Sequence, residues 1–147
     1  MPKDVRDERA QRPGDRLTLR VYYEDTDFSG RVYHASYLRF LERGRTEWLR
    51  ARGFEQRLMA AGESIVFVVH RLSLEFIRPA AMDDLIEIET RVTGVGAASV
   101  DFAQAILRGE ELLAAATVAV VALKGGKPTR LPAEMRARLA GDPTSNI

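Results

Sequence analysis

The sequence predicts an α+β fold, one long helix laid against an antiparallel sheet, and three observations carry that expectation. From about Tyr33 to Arg52 the apolar positions follow a helical period, with Tyr37, Leu41, Gly44 and Trp48 on one stripe at i, i+4, i+7 and i+11. From Val66 to Leu123 the pattern changes to alternation at period two, broken by turn residues. A chain of 147 residues has the length of one domain and is long enough to bury a sizeable core.

Taken in order, Met1 to Arg16 mixes both charge signs around Pro13-Gly14 and is expected to be a disordered or loosely held tail. Residues 17–147 then form the single domain. Leu17 to Tyr23 alternates and is rich in β-branched and aromatic residues, so it reads as a strand. The helix follows the turn Tyr23-Glu24-Asp25-Thr26-Asp27-Phe28-Ser29-Gly30, and Gly53 fits the residue just past its C-terminus. Gly44, on the apolar stripe, implies close backbone packing on a sheet, and Trp48 reads as core. Phe54 to Ala61 is a short second helix stopped by Gly62. Val66 to Arg78 is a strand with Val66, Val68, Leu72, Leu74 and Phe76 on one face and His70 among them as a satisfied core histidine. Leu85 to Val92 is a strand that turns Ile86, Ile88, Thr90 and Val92 inward. Gly94-Val95-Gly96 is a turn, and Ala98 to Leu107 is the next strand. A tight turn at Gly109-Glu110 leads to Leu112–Leu123, whose near-continuous apolarity predicts burial on both faces. Pro132 to Ala140 is a short terminal helix.

Composition narrows the function. Lys and Arg number 22 against 21 Asp and Glu, a net charge of +1 that gives no electrostatic case for nucleic acid. The longest apolar run is too short to span a bilayer, and the charged N-terminal stretch does not resemble a secretion signal. With no cysteine there is neither a disulfide nor a thiolate nucleophile. These features lead us to expect a cytoplasmic protein.

Chemistry concentrates at the turn before the helix. Asp25 and Asp27 lie beside Gly30, which permits a bend at positive φ, and Tyr33 and His34 stand where the helix begins. The first N–H groups of a helix have no intrahelical acceptor and attract negative charge, including charge developing on a carbonyl oxygen. A carboxylate across from them is able to attack an acyl carbon or to activate a water. Against this stand plainer roles: either aspartate satisfying turn amides, or His34 orienting the loop. A calcium loop is a weak alternative. Asp25, Asp27, Ser29 and Gly30 fill its positions 1, 3, 5 and 6, but position 12 is Ser36 rather than glutamate, and two histidines are too few for a metal site. No metal or other cofactor is expected.

The run Val21-Tyr22-Tyr23-Glu24-Asp25-Thr26-Asp27, then Gly30, Val32 to Tyr37 and Glu42-Arg43-Gly44-Arg45-Thr46-Glu47, resembles the hot-dog-fold acyl-CoA thioesterases of the 4-hydroxybenzoyl-CoA thioesterase type, most of all the YbgC branch associated with the Tol–Pal envelope system. A second matching block is Phe67-Val68-Val69, Glu75-Phe76, Arg78-Pro79-Ala80 and Asp83-Asp84, so the resemblance spans roughly Leu17 to Leu123. It implies a curved antiparallel sheet of about five strands around one central helix, paired into homodimers or homotetramers. It also implies that Asp27 is the catalytic aspartate, as nucleophile or general base, and that the N–H at His34 polarises the thioester carbonyl. The substrate would be an acyl-CoA or an acyl carrier protein thioester, with Gly30 and Tyr33 at its site. Lys124, Lys127 and Arg130 are candidates for the CoA phosphates. Two positions depart from the family pattern: Phe28-Ser29, where Phe28 would narrow an acyl pocket, and Gly44 in place of alanine. The rival readings are a hydro-lyase on enoyl or hydroxyacyl thioesters, using His34 with Glu42 or Glu47, and a non-catalytic acyl-thioester binding protein.

Overall fold

A computed structural model describes residues 12–141. Its sheet runs in the order β1-β3-β4-β5-β2, where β1 is Arg16–Arg20, β2 Val66–Phe76, β3 Leu85–Val95, β4 Ser99–Arg108 and β5 Glu111–Lys124. Each neighbouring pair is antiparallel, and a two-residue β6, Lys127–Pro128, folds back on β5 through Gly125 and Gly126, both at positive φ. The three helices are α1 (Ser36–Ala51), α2 (Gln56–Gly62) and α3 (Ala133–Ala140). The α+β hot-dog architecture expected from the sequence is the one observed: α1 lies along the inner face of the curled sheet.

The stripe on α1 explains that placement. Tyr37, Phe40, Leu41, Trp48 and Leu49 are all buried, each such side chain contributing about 1.5–3 kcal/mol. Trp48 meets the Phe102 ring of β4 edge-on at 5.8 Å, and Tyr37 meets Phe76 of β2 at 5.2 Å. Gly44 is the point of closest approach. A Cβ there would lie 2.6 Å from Ile88 Cγ2 and 3.1 Å from both Gln104 Nε2 and Thr90 Oγ1. The missing side chain leaves room for the Gln104 amide, which donates to the Leu41 carbonyl and to Thr90 Oγ1, each at 2.9 Å. The end of α1 is a hydrogen-bonded C-cap: Gly53, at φ +92°, donates to Arg50 O and Phe54 donates to Leu49 O.

Several expectations need correction. The chain is ordered earlier than predicted: Arg16 opens β1, and Asp15, 1% exposed, accepts hydrogen bonds from Trp48 Nε1 at 3.1 Å and Arg52 Nη2 at 2.6 Å. The part of the expected tail from Met1 to Gln11 lies outside the described residues. His70 is exposed, because β2 has a bulge between Val69 and Arg71. One unpaired residue reverses the alternation. Val66 and Val68 therefore face outward, Phe67 lines the inner side, and Leu72 and Leu74 rejoin the core. Gly94 and Val95 belong to β3, with the turn following at Gly96. On β5 the even-numbered residues Ala114 to Ala122 face inward and are buried, but Thr117 is exposed and Ala115, Ala119 and Val121 only half-buried. Apolarity on both faces is there, yet no second layer among the described residues covers the outer one. The terminal helix lies where the sequence places it, docked by Met135 and Leu139.

Candidate active site

The loop between β1 and α1 is held at both ends by Asp25. This aspartate is buried in a short 3-10 turn, Tyr23–Asp25; its Oδ2 accepts the Tyr22 N–H at 2.9 Å and its carbonyl accepts the Tyr33 N–H at 2.9 Å. Thr26 bridges to Val32 and Arg31 to Ala81, while the Val32 N–H donates to Ala80 O. The Tyr37 hydroxyl completes the clamp by accepting the Ala80 N–H at 3.0 Å. Asp25 therefore has the structural role that a turn aspartate commonly has.

Asp27 sits at the tip. Its Oδ1 accepts the Ser29 N–H at 2.8 Å and the Ser29 hydroxyl at 2.5 Å, an Asx turn closed by the Gly30 N–H donating to Asp27 O. Oδ2 has no partner among the described residues and faces solvent. The Ser29 hydroxyl first, and then the Ser29 N–H, hold the Asp27 carboxyl below its ordinary value of 3.8; the nearby His34 adds a smaller pull in the same direction. Gly30 adopts φ +82° with open space around its α-carbon, so conformation rather than room calls for glycine.

His34 and Tyr33 are exposed, with their rings 4.5 Å apart. The helix begins two residues later than the sequence implies, at Ser36, after an Ala35 that offers no capping side chain. The Ser36 N–H donates to Tyr33 O and that of Leu38 to Ala35 O, so these two are occupied. The N–H groups of His34 and Ala35 have no acceptor among the described residues. Asp27, Gly30, Tyr33 and His34 are thus brought to one open loop, with a free carboxylate oxygen and free amides.

The other predicted residues are not brought there. Lys124 and Lys127 flank the β5–β6 turn, where β5 pairs with the start of β2, whereas the Asp27 loop packs beside Ala80 and Ala81, close to where Ile77 and Arg78 donate to Leu113 O. The length of β5, about 33 Å from Ala114 to Lys124, separates them, and Arg130 follows the same turn. Within one chain these cations do not reach Asp27. Arg31 and Arg39 lie nearer: Arg39 is 3.9 Å from Asp25 Oδ1. Phe28 is fully exposed. Neither acidic partner imagined for His34 meets it: Glu47 pairs with Arg50 at 3.3 Å, and Glu42 lines a cavity further along α1. No cluster of metal-binding side chains occurs among the described residues.

Sequence reasoning missed Ser29 and Arg45. The Asp-x-Ser spacing is an Asx-turn signal that could have found the first. Arg45 is 7% exposed on the inner side of α1 and donates from Nη1 to Gln104 Oε1 at 3.0 Å. Burial pulls its pKa down, with partial compensation from the charge of Glu42. The helical period did carry a signal, since Arg45 is four residues after Leu41 and three before Trp48 on the apolar stripe; only its charge spoke against burial.

A curled antiparallel sheet around one helix is the hot-dog architecture, here with an aspartate at the turn into that helix. The family model of the thioesterase-like superfamily matches residues 21–139, and the chain belongs to that superfamily. Within it the similarity is to the YbgC branch. The chain is 42% identical to an acyl-CoA thioesterase YbgC of Haemophilus influenzae (84% of this chain, 93% of that protein). It is 46% identical to an acyl-CoA thioester hydrolase YbgC of Escherichia coli (80% and 89%). A crystal structure of a probable thioesterase from Bartonella henselae superposes with a TM-score of 0.77 at 45% identity, covering 80% of this chain and 98% of that one.

Proposed function

We propose that this enzyme hydrolyses acyl-CoA thioesters to the free acid and thiol, with Asp27 as the reacting carboxylate. The observation that carries this is the pairing of a carboxylate whose Oδ1 is tied down and whose Oδ2 is open with unpartnered amides at His34 and Ala35. The thioester carbonyl would lie against those amides, which stabilise negative charge on its oxygen, while Oδ2 attacks the carbon or takes a proton from the attacking water. The carboxylate is ionised at neutral pH, and its lowered pKa extends that ionised form to more acidic pH. The names of the YbgC relatives support CoA as the carrier.

The same reading includes a homodimer or homotetramer in the cytoplasm. Support for association comes from exposed apolar surface in two places: the edge strand β2 (Val66, Val68, Val69) and the rings of Tyr22, Tyr23 and Phe28 around the catalytic loop. No helix among the described residues is long and apolar enough to cross a membrane. Thiol release from acyl-CoAs of increasing length, followed alongside light scattering for mass, tests both parts. Loss of enoyl absorbance without thiol release would indicate a hydro-lyase instead, and tight binding of unhydrolysed acyl-CoA a carrier.

A further inference from the structure

The chain between β2 and β3 ties the two halves of the site together, and it does so with two consecutive peptide units. Each unit is planar, so fixing one of its polar groups fixes the other. The first joins Pro79 to Ala80. Its N–H donates at 3.0 Å to the hydroxyl of Tyr37, in the first turn of α1 and close to the amides of His34 and Ala35. The second joins Ala80 to Ala81, and its C=O accepts the Val32 N–H at 2.9 Å. Val32 follows Arg31, whose carbonyl accepts the Asp27 N–H at 3.0 Å. One unit therefore places the helix amides and the other places the carboxylate loop.

The opposite sides of both units lead to Arg108, the last residue of β4. Its Nη1 donates to Pro79 O at 3.3 Å and to Asp84 Oδ2 at 2.7 Å, and that same carboxylate oxygen accepts the Ala81 N–H at 2.8 Å. The guanidinium is itself held, since Nε and Nη2 both donate to Glu111 Oε1, at 3.1 and 2.8 Å. A second observation marks the same turn as constrained. Asp83 sits at φ +73°, a conformation that a residue with a side chain keeps only where its surroundings impose it. Here its N–H donates to Val21 O, and its carbonyl accepts from Arg20 Nη1.

We infer that Arg108 is a positioning residue for the hydrolysis: through Pro79 and Asp84 it sets the separation between the Asp27 carboxylate and the amides of His34 and Ala35. These groups act on one thioester only at the right distance, and a displacement of about 1 Å costs on the order of 10²-fold in rate. The inference rests on the thioesterase reading of the Asp27 loop and adds to it a side chain from a different part of the sheet.

The test measures thiol release by the wild type, Arg108→Gln and Arg108→Lys, per folded molecule, with the acyl-CoA that the wild type cleaves fastest. Arg108→Gln should lower kcat about tenfold or more and leave KM within about twofold, because it disturbs groups that act on the transition state rather than on binding. Arg108→Lys keeps a point charge for Asp84 but loses the two-pronged contact with Glu111, and it should restore kcat to within about threefold of the wild type. A kcat within about twofold of wild type in Arg108→Gln, a loss seen in KM alone, or a loss that lysine does not reverse each overturn the inference. If Arg108→Gln does not fold, Asp84→Asn replaces it. Asparagine still accepts the Ala81 N–H but lacks the charge that Arg108 holds, so the same fall in kcat is expected and a normal kcat overturns the inference. Amide hydrogen exchange separates the two readings. In Arg108→Gln the N–H groups of Val32 and Ala80 should exchange at least about tenfold faster, while those of Gly53 and Phe54 at the other end of α1 keep their rates. That pattern in a protein that releases thiol from no thioester keeps the clamp and rejects the hydrolase. Thiol release with kcat and exchange both unmoved in Arg108→Gln does the reverse.

Discussion

At its C-terminus α1 is closed by a glycine cap and by Asp15, which takes the Trp48 indole N–H and the Arg52 guanidinium, itself stacked 3.7 Å over the Trp48 ring. At its N-terminus the same helix has no side-chain cap, two amides without acceptors among the described residues, and a loop of exposed aromatic rings. The closed end satisfies its polar groups inside the chain and is therefore a source of stability. The open end leaves its polar groups for something else to satisfy. Such a contrast along one element is what a binding site requires, because donors already occupied have nothing to offer a substrate.

That contrast can be tested by substitutions whose effects should fall on one end or the other. The largest expected effect is catalytic: Asp27→Asn should lower kcat by roughly 10²–10⁴-fold while the melting temperature stays put, since the side chain is exposed. Near-normal thiol release by this variant would remove Asp27 from the reaction. At the closed end, Asp15→Ala should destabilise by about 3 kcal/mol by stripping a buried partner from Arg52, with kcat per folded molecule unchanged; chemical denaturation reads the first and a titrated assay the second. Midway along the helix, Gly44→Ala places a methyl group 2.6 Å from Ile88 Cγ2. Overpacking should outweigh the gain in helix propensity and cost about 1–2 kcal/mol in the same denaturation experiment. The smallest effect concerns pH. The depressed pKa of Asp27 keeps it charged below the ordinary 3.8, so activity persists as pH falls until that lower pKa is passed. Ser29→Ala removes the hydroxyl bond, raises the pKa, and should move the acid limb of kcat/KM to higher pH. An unmoved limb would assign it to another group. Any stability linked to this carboxylate has the same sign, present above 3.8 and lost as pH falls through the folded pKa, and it is small because the group is exposed.

Much of this was legible in the residues themselves. The stripe of Tyr37, Leu41, Gly44 and Trp48 named the buried face of α1, and Gly44 named its nearest approach to the sheet. Gly53 and the Gly109 turn marked where elements end, because only glycine reaches those backbone angles cheaply. Asp27, Gly30 and His34 were adjacent enough in the chain that one loop had to hold them. His70 was misread because alternation was assumed to continue through it; a bulge depends on how Val69 and Arg71 pair with Val120 and Ala119 on another strand. Lys124, Lys127 and Arg130 were grouped with the site by charge alone, and strand length separates them from it.

The sequence by itself determined periods, turns and the short-range chemistry of the Asp27 loop, since these depend on neighbours within a few residues. The tertiary structure alone decided that Asp15 is an anchor rather than the end of a tail, that β5 is covered on one face, and that Arg45 is buried at a cavity. Burial and the count of available acceptors are properties of whatever packs against a residue, and for these three the packing partners lie tens of residues away along the chain.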